Sequence, residues 1–86
     1  MLLVWSTAGW EDYLWWQKQD RKVLKRINTL IADVMRNGYE GIGKPEPLKD
    51  DFSGLGSRRI TDEHQLVYRV TEKQVQIVSC RYHYGR

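Results

Sequence analysis

Cysteine occurs once in the 86 residues, at Cys80. No disulfide can close within the chain, so a reducing compartment, the cytoplasm, is the expected location. Histidine occurs twice, at His64 and His83. One thiol and two imidazoles make no convincing metal set, and neither metal nor cofactor is expected. No apolar run approaches the ~20 residues that cross a bilayer. The apolar start Met1–Trp5 is ended at once by Ser6-Thr7-Ala8-Gly9, so neither a signal peptide nor a membrane partner is expected. Gly41-Ile42-Gly43 lacks what a nucleotide-binding loop requires, and there is no serine-triad motif. With no helix-turn-helix signature either, direct reading of DNA is not expected.

What is present fits one small domain, 1–86, with a thin core. Hydrophobic residues make up 41%, including four Trp and five Tyr. The net charge of +3 permits RNA or an acidic partner and proves neither.

Met1–Trp5 reads as a buried strand. Ser6 or Thr7 can cap a first helix with Trp10, Tyr13, Leu14 and Gln17 along one face. Asp20 can cap a second, in which Val23, Ile27, Leu30, Ile31 and Val34 recur at helical spacing and which Asn37-Gly38 ends. Lys18, Arg21, Lys22, Lys25 and Arg26 lie off that apolar stripe. They are either a solvated face or an electrostatic footprint for RNA phosphates. Tyr39–Gly56 is too rich in Gly and Pro for a helix. It is expected to be a long loop around a short strand near Leu48-Lys49, and loops this long are often functional. Ser57–Thr61, Gln65–Val70 and Gln74–Tyr82 then read as three strands with short antiparallel links. The result is an α+β fold, strand-helix-helix and then antiparallel strands, with both helices on one face of the sheet.

Alternation along these strands sends Ile60, Leu66, Tyr68, Val70, Val78 and Cys80 toward the helices. Arg59, Gln65, Val67, Arg69, Ser79, Arg81 and His83 fall on the other face. An antiparallel sheet often wets one face, but wetting alone does not call for Arg and His. Arg grips phosphate with a planar fork and His exchanges protons near neutral pH. Tyr82 is assigned to the core, as is Cys80, and His64 to a structural place at a hairpin turn.

Four segments carry a resemblance: Gly43-Lys44-Pro45-Glu46-Pro47-Leu48-Lys49, Ser53-Gly54-Leu55-Gly56-Ser57-Arg58-Arg59-Ile60, Leu66-Val67-Tyr68 and Cys80-Arg81-Tyr82-His83-Tyr84. With Val4-Trp5-Ser6 and Trp10-Glu11-Asp12-Tyr13 they closely resemble the YoeB toxins, the Txe/YoeB branch of the RelE-like superfamily. The resemblance implies a RelE-like, microbial-ribonuclease-type fold with two helices on a curved sheet. It implies a toxin of a type II toxin–antitoxin system that cleaves messenger RNA in the A site of the 70S ribosome, without a metal. It also implies a YefM-like antitoxin, a homodimer, and operator DNA bound only through the antitoxin.

By the same resemblance Glu46 is the general base, His83 the general acid and Arg59 the phosphate clamp. Tyr84 shapes the site, and Lys49 supports the scissile phosphate. Lys44, Arg58 and Arg81 join them as RNA-binding candidates, and the basic helix residues as ribosome contacts. Gln65 stands where the family usually has a second arginine. It can donate a hydrogen bond but brings no charge. A catalytically weakened ribosome- or antitoxin-binding module is therefore the alternative reading.

Overall fold

The computed structural model describes residues 1–49, 52 and 54–83. Its elements run β1 (Leu2–Trp5), α1 (Thr7–Gln19), α2 (Arg21–Asn37), β2 (Glu46–Pro47), β3 (Gly56–Arg59), β4 (Gln65–Val70) and β5 (Gln74–Ser79). The sheet order is β1-β5-β4-β3-β2. β1 runs parallel to β5, while the other three pairings are antiparallel. Two helices packed on a mixed five-stranded sheet make an α+β fold, as the element order predicts.

Helix boundaries follow local chemistry. The Ser6 hydroxyl caps α1, accepting from the Gly9 N–H at 2.9 Å. The Asp20 carboxylate caps α2, accepting from the N–H groups of Lys22 and Val23 at 3.0 and 3.2 Å. Gly38, at φ 66° and ψ −125°, ends α2, a positive-φ conformation that costs glycine little. The stripe Ile27, Leu30, Ile31 and Val34 packs with Trp16 on Ile60, Leu66, Tyr68, Val75, Ile77 and Cys80 of the sheet side. Cys80 is fully buried, and burial pushes its thiol up to about 12. It is an inert part of the core.

α1 crosses β5 closely at Gly9. A Cβ there would lie 2.9 Å from the Ile77 carbonyl oxygen. Gly9→Ala is expected to destabilise the fold by about 1–3 kcal/mol, the cost of forcing atoms into a packed interface. Urea unfolding measures it, and an unchanged midpoint would mean that the helix shifts freely.

Five expectations from sequence change here. β1 is not buried: it is an edge strand, with Leu2 64% exposed and Leu3 and Val4 exposed too. A run of apolar letters does not reveal whether anything covers them. β5 ends at Ser79, short of Tyr82. A bulge between β4 and β5 pairs Val67 with Ser79 but Tyr68 with Ile77. The extra residue shifts the alternation, so Val75 and Ile77 enter the core in place of Val78. Tyr82, assigned to the core, is 44% exposed. Finally, the short strand in the loop is Glu46–Pro47 rather than Leu48-Lys49. It forms the other sheet edge, where a proline costs no ladder bond.

Candidate functional site

Directly paired residues in antiparallel strands share a face. The register pairs Glu46 with Ser57, Ser57 with Val67, Val67 with Ser79, and Arg59 with Gln65. Arg59 is two residues beyond Ser57 on β3. Glu46, Arg59 and Gln65 therefore share the face turned away from the core residues Leu66 and Tyr68. Glu46 and Arg59 are diagonal neighbours, roughly 7–8 Å apart in such a ladder with their Cβ atoms somewhat closer, a span that suits one phosphate between carboxylate and guanidinium. Both residues are exposed.

His83, near the chain's end, lies against the turn that follows Arg59. Its Nε2 is 3.4 Å from the Asp62 carbonyl oxygen, and Arg59 Nη1 is 4.0 Å from the Asp62 carboxylate. Imidazole and guanidinium thus each approach Asp62 in the β3–β4 turn, one at its carbonyl and the other at its carboxylate. The segment carrying His83 has left the sheet and is held by side chains instead. Asp12 accepts from the Cys80 N–H at 3.0 Å, and Trp16, one helical turn along α1, donates to the Cys80 carbonyl at 2.8 Å. Burial raises the Asp12 carboxyl above its ordinary value, against the hydrogen bond from Cys80 and the attraction of Arg81. His64 Nδ1 accepts from the Tyr82 N–H at 2.8 Å, and the Gln65 N–H donates to the Tyr82 carbonyl at 3.1 Å. His64 is structural, as its hairpin position suggests.

The loop carrying Glu46 has its own clamp. Arg58 is fully buried. Its guanidinium donates to the carbonyls of Ile42, Gly38 and Glu40 at 3.1, 2.7 and 2.6 Å, and to the Tyr68 hydroxyl at 3.2 Å. It also pairs with the Asp33 carboxylate. Asp33 further accepts from the Asn37 amide at 2.8 Å and the Ile42 N–H at 3.1 Å. The Arg58 bond, then the Ile42 N–H, hold the Asp33 carboxyl below its usual range. A Cβ on Gly41, at φ 130°, would collide with that carboxylate. The Arg59 N–H then donates to the Gly43 carbonyl at 2.7 Å, just ahead of Lys44-Pro45-Glu46.

Arg58 therefore cannot be the phosphate ligand that the sequence suggests: all five of its N–H groups are spent inside the protein. Arg81 is also engaged. Its guanidinium lies 3.6 Å from the Trp15 ring of α1 and 4.9 Å from that of Tyr82. Arg26 is half-buried and donates to the Arg59 carbonyl at 3.3 Å, so it ties α2 to β3 instead of facing solvent. Lys44 and Lys49 flank Glu46 and are exposed, as are Lys18, Arg21, Lys22 and Lys25. Tyr84 lies outside the described residues. Sequence reasoning missed Asp12 and Asp33. Asp33 left a signal, an acid inside the apolar stripe between Ile31 and Val34, and Asp12 left only its place in the Trp10-Glu11-Asp12-Tyr13 motif.

The model of the YoeB-like toxin of bacterial type II toxin-antitoxin systems matches residues 5–84. The chain belongs to the YoeB-like toxin family. Toxin YoeB of Escherichia coli K12 is 56% identical over 84 residues, covering 98% of this chain and all of that one. The solved YoeB/ParE toxin from Agrobacterium tumefaciens superposes with a TM-score of 0.94 at 46% identity, over 98% of this chain and 100% of that one. YoeB of Staphylococcus aureus, solved as a dimer, gives a TM-score of 0.91 at 47% identity over 98% of both chains. In a heterotetrameric complex with YefM it gives 0.89 at 48% identity, over 98% of this chain and 99% of that one. This YoeB-like chain is thus a toxin of the type II toxin–antitoxin class.

Proposed function

We propose that this toxin is an endoribonuclease that cuts messenger RNA in the ribosomal A site. Glu46 takes the proton of the ribose 2′-hydroxyl. The resulting oxygen attacks the adjacent phosphorus, and the bond to the 5′-oxygen breaks as His83 protonates that leaving group. The products are a 2′,3′-cyclic phosphate and a 5′-hydroxyl. RNA supplies its own nucleophile, so the scheme needs no metal. Arg59 stabilises the charge that builds on the phosphate, usually the largest single contribution to such a barrier. Lys44 and Lys49 add positive potential beside Glu46, and Tyr84 stacks on a base. Lys18, Arg21, Lys22 and Lys25 bind ribosomal RNA phosphates.

The observation that supports this most is the common face of Glu46 and Arg59, with His83 and Arg59 both approaching Asp62. A YefM-like antitoxin neutralises the toxin and carries it to operator DNA, and the toxin forms a homodimer. The exposed side chains of Leu2, Leu3, Val4, Trp10 and Leu14 are apolar surface of the kind such chains cover. Among the described residues no helix is long and apolar enough to cross a membrane, and the ribosome as target places the action in the cytoplasm.

Primer extension on programmed ribosomes tests the reading. Discrete new ends at A-site codons are expected, and stalling without new ends would overturn it. That second outcome belongs to a weakened binding module, which Gln65 favours. Gln65 faces the site from β4 without a charge, and Arg81 is committed elsewhere. Gln65→Arg is accordingly expected to raise the cleavage rate by about five- to tenfold, since a charged donor binds an anion roughly twice as strongly as a neutral one. An unchanged rate would show that the missing cation does not limit turnover.

A further inference from the structure

Tyr82 has no task in the scheme above, yet its placement is costly. Its backbone sits at φ 58°, a left-handed value that is an outlier for a bulky residue. The ring remains 44% exposed, so burial does not explain the cost. The conformation is imposed by the bonds that His64 and Gln65 make to the Tyr82 main chain at 2.8 and 3.1 Å. The ring is backed by the Arg81 guanidinium, 4.9 Å away, which itself rests on Trp15, and by the His64 imidazole at 5.1 Å. Arg81 also donates to the Tyr82 hydroxyl at 3.3 Å. An exposed aromatic held by its main-chain bonds, with a cation against its ring and the acid His83 next in the chain, has the parts of a binding surface, and strain of this kind clusters at such sites.

We propose that the Tyr82 ring is a stacking platform for the nucleobase on the 3′ side of the scissile phosphate. This rests on the ribonuclease reading. His83 protonates the leaving 5′-oxygen, which belongs to that 3′ nucleotide, and the two Cα atoms are about 3.8 Å apart. The ring is fixed before RNA arrives, so little side-chain freedom is lost on binding. Any base offers a π face, so the platform tolerates sequence and strengthens with stacking area.

The test compares the parent chain, Tyr82→Gly and Tyr82→Phe on ribosomes carrying a message with either a normal or an abasic nucleotide just 3′ of the cut. Glycine takes φ 58° without penalty, so Tyr82→Gly should unfold no more readily than the parent. Its cleavage should nevertheless fall about tenfold on the normal message, the scale of losing one stacked base. Tyr82→Phe, which keeps the ring, should recover most of that loss. The abasic message should slow the parent by a similar factor and Tyr82→Gly hardly at all, because both changes remove the same contact. Equal abasic penalties in the two proteins, or full-speed cutting by Tyr82→Gly, would overturn the platform while leaving the nuclease intact. A parent chain that makes no cut would overturn the nuclease reading and the platform with it.

Discussion

Glu46→Gln and His83→Ala should each slow ribosomal cleavage by roughly 10²–10⁴-fold, the share that a positioned base or acid supplies. Glutamine keeps the shape and hydrogen bonding of Glu46 but accepts no proton at working pH. Alanine removes the imidazole that approaches the Asp62 carbonyl, beside the carboxylate that pairs with Arg59. The double variant should be little slower than the worse single one, because the groups act as a unit on one phosphate. Thermal unfolding should not move in either case. Glu46 is exposed on an edge strand, and the contact from His83 to Asp62 is long, at 3.4 Å. Single-turnover primer extension measures the rates. Near-parental cutting by both variants would remove them from the chemistry, and a fallen melting temperature would turn their loss of activity into a folding effect.

Arg58→Met should be the most damaging single change to stability, about 3–5 kcal/mol, because it removes one partner of a buried ion pair and strands the other. Methionine fills much of the arginine stem's volume, so the loss comes from hydrogen bonds rather than from a cavity. It leaves the Asp33 carboxylate without its cation and the carbonyls of Gly38, Glu40 and Ile42 without their donors. In a domain of this size that lowers Tm by roughly 15–30 °C. Activity should fall even where the chain still folds, because the clamp aims the loop that carries Glu46. The pair also gives the fold an acid limit. Asp33 titrates lower folded than unfolded, chiefly through its bond from Arg58. Its contribution is therefore fully present above its unfolded value near 3.8 and is lost as pH falls through the lower folded value. Asp12 acts in the opposite sense. Burial raises its folded value, so its ionisation weakens the fold as pH rises through the carboxylate range. Asp33→Asn should flatten the acid side of a stability-against-pH curve, and a curve of unchanged shape would deny Asp33 this role.

The caps, the apolar stripe of α2, the hairpins and the polar face of the sheet could all be read from the chain. Each depends on neighbours three or four residues apart or on strict alternation. Asp20 and Gly38 bound α2 because their own side chain, or the absence of one, satisfies the adjacent backbone. Membership of the toxin family was equally legible, because the proline loop and the C-terminal run carry it in their order of residues.

Arg58 and Arg59 stand side by side with the same chemistry. Only the pleat of β3, set by pairing with β2 and β4, sends one guanidinium into the protein and leaves the other exposed. The bulge that exchanges Val78 for Ile77, the parallel pairing that leaves β1 on an edge, and the left-handed turn at Tyr82 are likewise contacts between distant segments. Local sequence states which groups are available. Which of them are desolvated, and therefore spent on the fold or left for RNA, depends on partners brought from far along the chain, and that was decided only when the sheet closed over the helices.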